Sequence, residues 1–67
     1  MLPHVSALVE AGEVVVAAAH EEEVRVGTWT VDDPDLARRL FSWGVDAVAT
    51  NDPATMVRVR DEIRAEA

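Results

Sequence analysis

Residues 28–35 read TWTVDDPD, and residues 49–55 read ATNDPAT. Each writes an apolar, β-prone run, an acidic turn and an Asp-Pro step, and the two steps, Asp33-Pro34 and Asp52-Pro53, lie nineteen residues apart. Aspartate is a good helix N-cap, because its carboxylate can take up an unpaired amide of the first turn. Proline suits the first helical position, where a missing N–H costs nothing. Both stretches therefore predict a strand, a turn and a helix start. Aligning them pairs Val31 with Thr50, Asp32 with Asn51, and Leu40 with Val59.

Working outward from the first stretch, VRVGTWTV at 24–31 predicts a strand. Val24, Val26, Thr28 and Thr30 share one face, and Arg25, Gly27, Trp29 and Val31 the other. PDLARRLFSW then carries Leu36, Ala37, Leu40, Phe41 and Trp43 on an apolar stripe, with Arg38 and Arg39 outside it, and Gly44 ends the helix. VDAVAT at 45–50 predicts a second short strand. The final helix, PATMVRVRDEIRAE, sets Met56, Val59, Arg60 and Ile63 on one side and places Glu62 and Glu66 within a turn of arginines. Upstream, the sequence suggests a short helical turn to Glu10, a break at Gly12, and a helix over EVVVAAAHEEE. The β-branched run Val14–Val16 keeps a short buried strand open as the alternative there.

Strand–helix alternation of this kind predicts an α/β fold with parallel strands and right-handed crossovers. Two parallel strands make an unfinished sheet, with open edges that invite pairing to further chain. The division read here is one partial domain over 1–67: a helical lead-in at 1–23 and strand–helix units at 24–44 and 45–67.

Composition narrows the function classes. The chain has 67 residues, no cysteine, thirteen acids and six bases, all of them arginine, for a net charge of −7. That balance argues against nucleic acid or an anionic membrane surface as partner. A lysine-free acidic chain suits a high-salt cytoplasm, a high-GC genome or simply an ordinary acidic surface. No disulfide or thiolate metal site can form, and His4 and His20 lack metal-ligand spacing. The start MLPHVSALVEAGE has no basic n-region, and no apolar run reaches membrane-spanning length, so a cytoplasmic protein without a membrane span is expected.

Sites in parallel α/β folds form at the carboxyl ends of the strands. Trp29, Asp32 and Asn51 are placed there. Capping accounts for Asp33 and Asp52, whereas Asp32 and Asn51 either line a site or simply form turns. Trp29 is either barrel filling or an apolar wall for a ligand. His20 reads as a solvated helix-end histidine, His4 as a disordered or exposed residue near a terminus, and Glu21–Glu23 as a solvated charge run. The residues supply no phosphate loop and no nucleophile–base pair, so no complete active site can be written from them.

The combination of Ala19-His20, Trp29-Thr30-Val31-Asp32 and Gly44-Val45-Asp46-Ala47-Val48-Ala49-Thr50-Asn51-Asp52-Pro53 resembles the C-terminal end of glycerophosphodiester phosphodiesterases. There an Ala-His helix leads to a strand ending Trp-Thr-Val-Asn, and a helix later to Gly-Val-Asp-Gly-Ile-Ile-Thr-Asp-x-Pro. The resemblance covers residues 14–60. It implies the last two βα units of a TIM-type (β/α)8 barrel, preceded by a helical segment. It also implies hydrolysis of glycerophosphodiesters to glycerol 3-phosphate and an alcohol.

By the same resemblance the catalytic histidines and metal carboxylates lie on earlier strands. A divalent metal, Mg²⁺ or Ca²⁺, is implied for the intact barrel and none for this chain. The residues left to line the substrate are Trp29 and, less directly, Asp32, with no catalytic residue among the 67. Asp32 replaces the usual Asn and Asn51 the usual Asp. The chain alone is expected to be inactive. A different class of function is a stand-alone module that self-associates, or pairs with a complementary barrel fragment, through its open edges.

Overall fold

In the computed structural model, which describes residues 1–66, two helices come first, α1 (Val5–Ala11) and α2 (Glu13–Glu21). Then follow β1 (Gly27–Thr28), α3 (Pro34–Ser42), β2 (Ala47–Val48) and α4 (Pro53–Glu66). The helix boundaries fall where the local chemistry puts them. Asp33 stays extended and its carboxylate accepts the Asp35 amide at 2.9 Å, with Pro34 as the first helical residue. Gly44 closes α3 at φ 94°, and Val45 N–H returns to the Leu40 carbonyl at 3.1 Å. A Cβ added at Gly44 would also stand 3.2 Å from the His20 ring, so a side chain there would press on His20 as well as strain the backbone.

Gly12, at φ 87°, separates α1 from α2 as the sequence suggests. The strand alternative at Val14–Val16 is not taken. Val16 is fully buried and Val14 is 71% exposed, which is one helical face turned inward. Burial of one valine and the helix-forming alanines that follow outweigh the β preference of the run. Two residues past the end of α2, Glu23 stands at φ 60°, a left-handed position that glycine usually occupies.

The strands β1 and β2 are parallel, Gly27 opposite Ala47 and Thr28 opposite Val48. Regular pairing is shorter than the 24–31 and 45–50 expected, but single bonds extend it on both sides. Asp46 N–H donates to Val26 at 2.8 Å, Ala49 N–H to Thr28 at 2.8 Å, and Val31 N–H to Ala49 at 2.9 Å.

One departure from the sequence reading matters for the site. Residues 1–4 are not helical; they run extended beside β1, with a parallel bridge between His4 and Trp29. Gly27 N–H donates to the Met1 carbonyl and Val5 N–H to the Trp29 carbonyl, both at 2.9 Å. Pro3 has no N–H to give to a ladder, and its carbonyl accepts the Thr28 hydroxyl at 2.9 Å.

The core lies between these strands and the helices. Leu8 and Val16 meet Val26 and Val31 from one side, and Ala37, Leu40, Phe41, Met56 and Val59 complete it. α3 and α4 pack on each other, and Arg38 donates to Glu62 at 2.9 Å across their exposed rims. Glu62 also approaches Arg58, one turn back, at 4.0 Å.

The opposite face of the strands is bare. Along β1 and β2 the exposed positions alternate with the buried ones, leaving Trp29, Ala47 and Ala49 uncovered. Leu2, 67% exposed, leans over Gly27, where a Cβ would meet its Cδ1 at 3.0 Å.

Candidate functional site

The carboxyl ends of residues 1–4, β1 and β2 lie at one edge, and each passes directly into a capped turn. The first carries His4, the second Trp29 through Asp33, the third Thr50 through Asp52. Main-chain bonds fix these turns relative to one another, so their side chains are placed by the strand register.

Asp32 is the hub of the second and third turns. Its Oδ1 accepts from the Thr50 hydroxyl at 2.8 Å and the Asn51 amide at 2.8 Å, and its Oδ2 accepts from the Asn51 side chain at 3.0 Å. The Asn51 amide, then its side chain, then the Thr50 hydroxyl hold the Asp32 carboxyl below its ordinary pKa of 3.8. Thr50 passes the network on, since its Oγ1 accepts the Asp52 amide at 3.0 Å. The two residues left free between turn and site by the sequence are thus bonded to each other. Asp32 and Asn51 form a clasp between successive strand–helix units.

Trp29 stands apart from that clasp. Trp29 is 44% exposed, and its ring and that of His4 meet edge-on, with centroids 4.6 Å apart and planes at 90°. His4 is exposed, as expected, but it is not a loose terminus. Its Nδ1 accepts the Ser6 amide at 3.1 Å and lies 2.8 Å from the Ser6 hydroxyl, capping α1. The sequence alone does not foretell this cap. The available signal was that Pro3-His4 repeats the plan of the Asp-Pro turns: extended chain, a capping side chain, then a helix.

His20 requires a correction. It is not merely solvated: its Nε2 lies 3.0 Å from Asp46 Oδ2, and the same oxygen accepts the Val26 amide at 2.7 Å. Burial works against the Asp46 charge, but the Val26 amide and His20 outweigh it and hold the carboxyl below its ordinary value. This lock joins the end of α2 to both strands at their amino side, away from Trp29, and it is a stabilising device.

No group of three or more His, Cys, Asp or Glu side chains converges among the described residues, and the Asp32 oxygens are already engaged by three donors. A groove lined by Phe41, Val48, Met56, Val57 and Arg60 flanks the free edge of β2; neither Trp29, His4 nor Asp32 lines it. Among the described residues, no helix is long and apolar enough to cross a membrane.

Comparison with known proteins adds identity to this geometry. The sequence model of the glycerophosphoryl diester phosphodiesterase family matches residues 1–55, beginning within the extended segment that carries His4. A protein of Arabidopsis thaliana, glycerophosphodiester phosphodiesterase GDPD4, is 37% identical over 54 residues, which is 81% of this chain and 16% of that protein. No solved structure matches the chain. A family match over most of the sequence, on strands and turns that the fold brings to one edge, carries the conclusion: the chain belongs to the glycerophosphoryl diester phosphodiesterase family.

Proposed function

We propose that the chain forms three successive staves of a phosphodiesterase barrel: residues 1–4, β1 and β2 inside, with α1–α2, α3 and α4 outside. This adds one stave to the two read from the Asp-Pro repeat. The carrying observation is the division of the sheet into a helix-covered face with Val26 and Thr28 and a bare face with Leu2, Trp29, Ala47 and Ala49. Barrel strands need both, because alternate residues point to the outer helices and to the enclosed interior.

In the whole barrel the reaction is hydrolysis of a glycerophosphodiester to glycerol 3-phosphate and an alcohol. This chain supplies the Trp29 ring as an apolar wall beside the substrate, and Asp32 sets the two turns that frame it. The chain by itself is inactive, because the family's His-Arg start and metal-binding carboxylates have no counterpart in its sequence.

The test has two halves. Purified chain with a glycerophosphodiester and Mg²⁺ or Ca²⁺ is expected to release no glycerol 3-phosphate; turnover that survives repurification refutes this. Adding a barrel fragment that carries the earlier strands of a family member is expected to give turnover dependent on both pieces. A folded but inactive complex sinks the barrel reading.

The bare face and the groove beside β2 also favour a second reading, a module that associates with its own kind. Size-exclusion chromatography with light scattering separates the two. A monomer with cooperative unfolding counts against self-association.

A further inference from the structure

We propose that His4 is a ligand-binding residue of this site, donating its Nε2–H to a phosphoryl oxygen of a glycerol phosphate group packed against Trp29. The inference rests on the phosphodiesterase reading and extends it to a side chain to which the family resemblance assigns no role.

Three observations carry it. The first is placement. The Val5 amide bonds to the Trp29 carbonyl and the Thr28 hydroxyl to the Pro3 carbonyl, so the backbone of His4 is held in register with Trp29. The two rings touch at right angles, 4.6 Å apart, at the carboxyl edge where Asp32 also lies.

The second is the proton. Nδ1 accepts the Ser6 amide, which requires a lone pair there, so the neutral ring carries its hydrogen on Nε2. The bond to Ser6 therefore fixes both the tautomer and the ring, and leaves a donor free for a ligand.

The third is charge, for the Thr30 hydroxyl and the Trp29 indole N–H are neutral donors. Across the three turns, residues 4–6, 29–34 and 49–53, His4 is the only side chain able to carry positive charge. The Thr50 hydroxyl and the Asn51 side chain are spent on Asp32. Asp33 and Asp52 are engaged with helix amides. An anionic group settling on the Trp29 ring would find the His4 Nε2–H as its charge-capable donor.

The test uses the 67-residue chain and nuclear magnetic resonance. In a titration with glycerol 3-phosphate, the His4 ring and Trp29 indole signals are expected to move together on one saturating curve. His4→Asn keeps a good helix cap but has no atom at the reach of Nε2. It is expected to melt as the parent does and to bind about tenfold more weakly, the loss of one charge-assisted hydrogen bond. Binding by His4→Asn as tight as the parent's, or Trp29 signals that move while His4 signals stay still, overturns the His4 role and leaves the Trp29 wall standing. An equal response to inorganic phosphate alone overturns the glycerol phosphate assignment. Silence of both rings to about 10 mM, where a millimolar site would be filled, overturns the His4 role and the Trp29 wall together.

Discussion

By the family resemblance Asp32 and Asn51 exchange an Asn and an Asp, and their direct bond gives that exchange a physical meaning. One partner must be an acceptor and the other a donor; which turn holds which is open. Three variants test this by thermal melting at neutral pH. Asp32→Asn weakens the clasp, since an amide offers one oxygen where the carboxylate offers two. Asn51→Asp sets two carboxylates against each other and is expected to melt lower still, with part of the loss recovered as the pH falls towards 4. Combining the two substitutions restores a donor–acceptor pair and is expected to melt above either single variant. A double variant that melts at the sum of the two losses would mean the residues act independently. The sequence aligned these two positions through the repeat. It did not say that they touch, because strand register is set by pairing between segments rather than by either segment alone.

At the scale of elements, the ends of the helices were the most legible features. Asp33, Pro34 and Gly44 act on their immediate neighbours, and local chemistry is written locally. The ends of the strands were not legible, because regular pairing stops where a neighbour stops, at Gly27–Thr28 and Ala47–Val48. The contacts of His4 and His20 were hidden for a related reason: their partners Trp29 and Asp46 lie 25 and 26 positions away. The lock that His20 makes has a defined pH signature. The folded pKa of Asp46 is lowered, so its contribution is fully present above the ordinary value of 3.8 and is lost as the pH falls through the lowered one. Asp46→Ala is expected to cost about 1–2 kcal/mol at neutral pH, because the buried Val26 amide loses its acceptor. The part of acid destabilisation due to this group should vanish in that variant. Glu23 offers the opposite sign. Its φ of 60° favours glycine, and Glu23→Gly is expected to raise stability by about 0.5–1 kcal/mol, read as a higher melting temperature. A lower one would show that the Glu23 side chain contributes more than its backbone strain costs.

For the whole molecule, the α/β class and the parallel order of the strands could be read from the alternation of units. The extended segment at residues 1–4 could not, because Leu2-Pro3-His4 has neither the length nor the β-branched residues of a recognisable strand. It becomes one only by lying against β1, where the Pro3 carbonyl accepts the Thr28 hydroxyl. A domain of this size buries a small core, and one face of its sheet adds nothing to it. The two tryptophans divide along that boundary. Trp43 is half-buried and packs against the core, whereas Trp29 looks out from the bare face. Anything that covers the face therefore takes one indole out of water and leaves the other as it was. The protein carries its own optical gauge of closure, in which a blue shift of emission comes from Trp29 and the steady background from Trp43.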